Sequence, residues 1–186
     1  MSNVSNVTAG KPNIGGAIYW AELGTSLPDD TADALTGFTD LGFAAEGGVT
    51  NTNSPETEVI KAWGGEPVLA ITTGKTDTFK FTLIEALKAD VLKAVYGTEN
   101  VTGDLATGMA LDVDASGDTP EASWVFDMIM RNGVKKRIVV PDAKITEIGD
   151  IVYADNSAVG YEITLTCMRD SDGKSHHEYF SEAESE

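Results

Sequence analysis

Hydrophobic and polar positions alternate along most of this chain, and in one short stretch the period changes. Residues 1–13 carry no periodicity and are small and polar, which predicts a flexible N-terminal arm. Ile14 to Ala21, with Ala-Ile-Tyr-Trp-Ala, predicts a strand rich in β-branched and aromatic side chains. Glu22 to Gly37 predicts a long loop, of a length that compact domains keep for a purpose. Phe38 to Ala44 predicts a second strand, Glu46-Gly47-Gly48 a turn, and Thr50 to Pro55 a polar loop. Thr57 to Trp63 then alternates, Gly64-Gly65 fits a two-residue hairpin turn, and Pro67 to Thr72 returns as its partner. Thr76 to Glu85 alternates strongly: Thr76, Thr78, Lys80 and Thr82 oppose Asp77, Phe79, Phe81 and Leu83, as in a strand with one wet face.

Between Lys88 and Tyr96 the spacing shifts to that of a helix. Leu87, Val91 and Val95 recur every four residues with Leu92 beside them, and Gly97 follows at the usual stop position. A helix this short is unstable alone and must dock on a sheet. Strands resume at Met109 to Val113 and at Trp124 to Met130. Asn132-Gly133 is a strong hairpin signal, and Val134 to Val140 pairs back. Pro141 is expected to end that strand, since it cannot donate to a ladder. Lys144 to Ile148 and Val159 to Met168 complete the set. Residues 171–186 read as a flexible acidic tail. The pattern predicts a mainly β fold: one domain over residues 14–170, an antiparallel β-sandwich or barrel with one short flanking helix.

Charge changes this picture more than composition does. Among 186 residues, 30 are acidic and 13 basic, a net charge of −17. Between Lys11 and Lys61 there is no basic residue, but there are eight acidic ones. Such a surface repels nucleic acid, whose binding needs Lys and Arg against phosphate. No run approaches the ~20 apolar residues of a membrane span. The single cysteine, Cys167, permits no internal disulfide and reads as a small core residue, in keeping with folding in a reducing cytoplasm.

Each catalytic template fails at a definite position. Gly74-Lys75-Thr76 resembles the end of a phosphate loop, but Leu69 stands where the first Gly is required and a strand follows in place of a helix. His176 and His177 are adjacent in the polar tail, where no catalytic geometry is held. No catalytic residue and no cofactor is expected. Asp112, Asp114, Ser116 and Asp118 match the first half of a calcium loop, but Ser123 stands where the closing Glu belongs, so the stretch reads as an acidic turn. Arg131, Lys135, Lys136 and Arg137 form one basic cluster about the Asn132-Gly133 turn. On so acidic a chain they are candidates for meeting an acidic surface of another copy.

Three successive stretches resemble one family. The first is Gly16-Ala17-Ile18-Tyr19-Trp20-Ala21 with Gly24-Thr25-Ser26-Leu27-Pro28 and Asp40-Leu41-Gly42-Phe43. The second is Val59-Ile60-Lys61-Ala62-Trp63-Gly64-Gly65. The third runs from Lys75-Thr76-Asp77-Thr78-Phe79-Lys80-Phe81 to Val91-Leu92-Lys93-Ala94-Val95-Tyr96-Gly97. In this order, over residues 16–168, they are similar to the major tail proteins (tail tube proteins) of long-tailed, siphovirus-type bacteriophages. The resemblance implies a structural virion protein whose copies form stacked hexameric rings, a tube that carries DNA into the host. It implies contacts with a tape-measure protein and with tail terminator and distal tail proteins, passage of DNA without specific binding, and a place in the virion tail after assembly in the host cytoplasm. It also implies the tail-tube β-sandwich. The extra immunoglobulin-like domain of some relatives is expected to be absent. Trp20 and Trp63, with Gly64 and Gly65 at the turn, join the basic cluster as candidate assembly residues. The acidic excess is expected to line the lumen. Two other readings stay open on the residues: a tube subunit of a contractile or type VI-like injection machine, and a monomeric calcium-binding β-sandwich module.

Overall fold

The computed structural model describes residues 2–115 and 118–182. In chain order the strands are β1 (Lys11–Pro12), β2 (Ile18–Glu22), β3 (Thr39–Asp40), β4 (Thr50–Lys61) and β5 (Pro67–Leu83). The helix α1 (Ala89–Tyr96) follows, then β6 (Val101–Thr102), β7 (Ala110–Leu111), β8 (Glu121–Ile129), β9 (Lys135–Ile148), β10 (Tyr161–Cys167) and β11 (His177–Ser181). The fold is mainly β and antiparallel with one α-helix, as the alternating pattern predicts.

Nine strands share one sheet, in the order β3-β2-β8-β9-β10-β5-β4, with β1 added on β8 and β11 on β9. The sheet curls so that its β3 end returns to β5. Ala44 bridges Leu83, the Ala45 N–H donates to the Thr82 carbonyl (2.9 Å) and the Ile84 N–H to the Phe43 carbonyl (3.1 Å). The expected strand at Phe38 to Ala44 is therefore two short pieces, one on each side of this closure. Inside the curl lie Phe79, Phe81, Trp124 and Phe126, with ring centroids 5.1 to 5.7 Å apart along the chain of contacts. Ile138, Val140, Ile145, Ile163 and Leu165 complete this floor. The helix turns Val91, Leu92, Ala94 and Val95 into the same core, and burying its apolar stripe stabilises what eight residues alone would not. Gly97 ends it, its N–H bonded to the Lys93 carbonyl at 2.9 Å.

Several boundaries differ from the sequence pattern, each for a physical reason. Thr50 to Pro55, expected as a loop, belongs to β4, a strand of 12 residues paired with the 17 residues of β5. Every β4 residue is exposed, so no buried face imposes alternation, and the apolar signal on which the expectation rested is missing. Pro141 does not end its strand: β9 runs on to Ile148. Opposite it β8 is bulged between Ala122 and Trp124. The Ser123 hydroxyl donates to the Pro141 carbonyl at 2.7 Å, and at a bulge the missing proline N–H breaks no ladder bond. The strand expected at Met109 to Val113 shrinks to Ala110–Leu111, paired only with Val101–Thr102.

Both chain ends are more engaged than expected. At the N-terminal arm, Lys11 and Pro12 pair with Ile129 and Met128, and the Arg131 N–H donates to Thr8 Oγ1 at 2.8 Å. At the other end, His177–Ser181 pairs with Lys135–Val139 of β9, so this part of the expected flexible tail is a strand; residues 183–186, the last part of that expectation, lie outside the described residues. The polar residues of β11 gave no core signal because it sits at a half-covered edge. Among the described residues, no helix is long and apolar enough to cross a membrane.

Candidate assembly surface

β4 and β5 leave the body together as a hairpin, and its two halves differ. In the basal half Thr50, Thr52 and Ser54 face Lys80, Thr78 and Thr76. β5 carries this hydroxyl row to β10, where Thr78 pairs with Thr166, Lys80 with Thr164 and Thr82 with Glu162. β9 extends it, with Thr146 Oγ1 bonded to Thr166 Oγ1 at 2.9 Å. The result is one polar face across β4, β5, β10 and β9. Its cations are held: Lys80 Nζ lies 2.9 Å from Glu162, and Lys144 Nζ 2.8 Å from Asp118. The alternation of Thr76 to Glu85 announced this face.

The distal half begins at a bulge between Glu56 and Thr57, opposite Thr73, whose hydroxyl donates to the Glu56 carbonyl. Beyond it the ribbon has no sheet behind it. Ile60 and Leu69 face each other, with Ile71 beside Leu69, and Val59 faces Ala70 on the opposite side. Apolar side chains therefore sit on both faces, all exposed, Val68 among them. At the tip Gly64 (φ 111°) and Gly65 (φ 91°) take backbone angles that a side chain would strain, and the Ala62 N–H closes the turn on the Glu66 carbonyl. Trp63 stands on this turn at 107% relative exposure. A two-stranded ribbon is marginal in water, and a contiguous exposed apolar patch marks a place where something else packs.

The other candidate residues fall elsewhere. Trp20 is 8% exposed and lies in the subunit core, so it is no surface anchor: β2 is covered on its apolar face by the same curl that buries Trp124. The basic cluster is divided. Arg137 is 5% exposed, grips both Asp127 oxygens at 2.7 Å, and donates to the Asp30 and Asp33 carbonyls. Its guanidinium, held charged by Asp127, ties the long loop between β2 and β3 to the sheet instead of meeting a second copy. Lys136 pairs with Glu178 at 2.9 Å and lies 5.0 Å over the Phe180 ring, both on β11. Arg131 stays at the exposed turn, where Asn132 (φ 62°) and Gly133 (φ 77°) make the predicted tight reversal. Lys135 opposes Ile129 and Ser181 in the sheet.

In the acidic turn, Asp112 and Asp114 are exposed, Ser116 lies outside the described residues, and Asp118 is engaged by Lys144. The tight contact with Lys144 draws the Asp118 carboxyl below the ordinary range. Asp29, Asp30 and Asp33 also stand together at the surface, but Asp30 and Asp33 accept the loop's own amides, from Ala32, Asp33 and Asp29. Cys167 is partly buried, and burial, with Asp77 and Asp142 nearby, pushes its thiol up to about 12. That makes it inert.

Sequence reasoning missed the histidines. His176 packs edge-on against Phe79 and its Nδ1 donates to Asp77 at 2.6 Å, while His177 Nε2 lies 2.9 Å from Asp170. Their tail is a docked strand, so the solvated reading fails. The signal available was Asp77 itself, a carboxylate at a core-facing position of an alternating strand.

A closed antiparallel β body bearing an arm that is apolar on both faces defines a subunit built to pack against other chains. The family model described as phage tail tube protein matches residues 3–186, and the chain belongs to that family. It is a structural component of the virion tail. No curated protein matches the chain.

Proposed function

We propose that copies of this chain polymerise through the β4–β5 arm into stacked hexameric rings, the tube of a siphovirus-type tail through which DNA is delivered. The observation that carries the reading is the arm: Val59, Ile60, Val68, Leu69 and Ile71 exposed on two faces, with Trp63 at the tip. Burying such side chains stabilises an interface by about 25 cal/mol per Å² of apolar surface, less the cost of association. Two apolar faces suit an arm lodged between two neighbours, and a head-to-tail contact of this kind propagates into rings or filaments.

The hydroxyl face of β4, β5, β10 and β9 is the face assigned to the lumen. The acidic lining expected from the sequence becomes, on this assignment, a threonine lining whose Lys80 and Lys144 are neutralised by Glu162 and Asp118. DNA then meets no free row of cations, and a chain of net charge −17 gives phosphate nothing to hold. A tape-measure protein inside the tube, and terminator and distal tail proteins at its ends, are the remaining partners, met in the host cytoplasm during assembly. Sedimentation velocity over rising protein concentration, followed by negative-stain electron microscopy, tests the proposal. Rings or tubes of uniform width are expected, and a single subunit-sized boundary at every concentration would overturn it.

A further inference from the structure

The core-facing row of β5 reads Asp77, Phe79, Phe81, Leu83, and Asp77 is its first buried residue, at 3% exposure, where the hairpin enters the body. An apolar side chain would extend the core at no desolvation cost, whereas a carboxylate there is expensive unless fully satisfied. This one is satisfied by three donors from two other segments. Asn51 Nδ2 of β4 reaches one oxygen at 2.8 Å, and the Ser175 hydroxyl and His176 Nδ1 reach the other. Burial alone would push the Asp77 carboxyl up; the bonds from Ser175, Asn51 and His176 outweigh it and hold the group ionised.

The two segments so joined have different tasks. Asn51 and Asp77 form the base of the hairpin, only a few residues from the bulge at Glu56/Thr57 where the arm begins. Ser175 and His176 lead into β11, which is zipped onto β9 through residues 177–181, pinned by Lys136–Glu178 and by Thr31 bonded to Ser181. Asp170 folds the preceding turn by accepting the Asp172 and Lys174 amides and contacting His177. The C-terminal segment is thus anchored independently at both sides of the two residues that grip Asp77.

We infer that Asp77, Ser175 and His176 form a latch by which the C-terminal segment fixes the direction of the arm, making Asp77 a positioning residue for subunit joining. This rests on the arm-mediated assembly proposed above. A ribbon free to swing at its base samples many directions, and a joining-competent direction that is only fractionally populated weakens association by that fraction. The latch removes this loss without touching a neighbour.

The test separates positioning from stability. In Asp77→Leu the core row becomes continuous, which offsets the cost of leaving the Ser175, His176 and Asn51 donors without their acceptor, so the melting midpoint is expected to change little. The amides of residues 50–54 should nevertheless exchange at least about tenfold faster, and the protein concentration needed for assembly should rise by a similar factor. The double variant Ser175→Ala/His176→Ala, which leaves the hairpin sequence intact, should give the same exchange and assembly changes. Native exchange at residues 50–54 in both variants, or assembly at the wild-type concentration, would overturn the latch. If the wild-type chain forms no tubes, the assembly reading fails with it, while the exchange measurement still decides whether the latch holds the hairpin base.

Discussion

The body of the subunit and its arm are built on opposite terms. In the body, strands are held by what they bury: Phe79, Phe81, Trp124 and Phe126 interlock beneath the sheet, and each is at most 2% exposed. In the arm, from Thr57 to Thr72, the strands are held by cross-strand hydrogen bonds and a turn, and the apolar side chains touch one another but stay exposed, with no core beneath them. The same side-chain chemistry therefore stabilises the fold in one region and, on the proposed assembly, is left for a neighbour in the other. Apolar residues in a tail tube subunit must be sorted by what lies behind them, not by hydropathy alone.

That contrast is broken most forcefully from the body side. Phe126→Ala removes a ring stacked on Phe79 and edge-on to Phe81 and is expected to cost about 3–5 kcal/mol of stability. Chemical denaturation reads this directly, and a loss under about 1 kcal/mol would mean the aromatic floor is not the core. From the arm side, Trp63→Ala should leave the same denaturation curve within about 0.5 kcal/mol. It should weaken association by about 2 kcal/mol or more, as removal of a central aromatic does. Concentration-dependent light scattering checks this, and a variant that melts early but assembles normally would invert the proposed division.

The junction between the regions supplies the smallest effect. The Asp77 carboxyl titrates below the ordinary carboxylate range once its donors are counted against burial. Its contribution is therefore fully present above the unfolded value, about 3.9, and is lost as pH falls through the folded one. Stability of the wild type should fall more steeply below about pH 4 than that of Asp77→Leu. Parallel acid limbs would show that the carboxylate is not held as described.

Where a buried face imposes periodicity, the sequence was readable. Thr76 to Leu83, the helix before Gly97, and the places of the Gly64-Gly65 and Asn132-Gly133 turns follow from local spacing and backbone preference, although the first turn takes three residues, Trp63 to Gly65, where two were expected. Elements stabilised by distant partners were not. Thr50 to Pro55 has no alternation because neither face is buried, and His177–Ser181 is a strand because Lys135–Val139 offers it an edge. Arg137 looked like surface charge because nothing local shows that Asp127, Asp30 and Asp33 converge on it. The arm itself was half legible: the hairpin could be read from its turn and alternation, but its projection from the body could not.

On the proposed division, the arm carries assembly and not the fold. Replacing residues 57–72 with an Asn-Gly turn and imaging this chain beside the wild type by negative-stain electron microscopy at equal concentration tests that directly. The wild type is expected to form rings or tubes, and the shortened chain single folded subunits with an unchanged melting midpoint. Tubes from the shortened chain, or its failure to fold, would contradict the account.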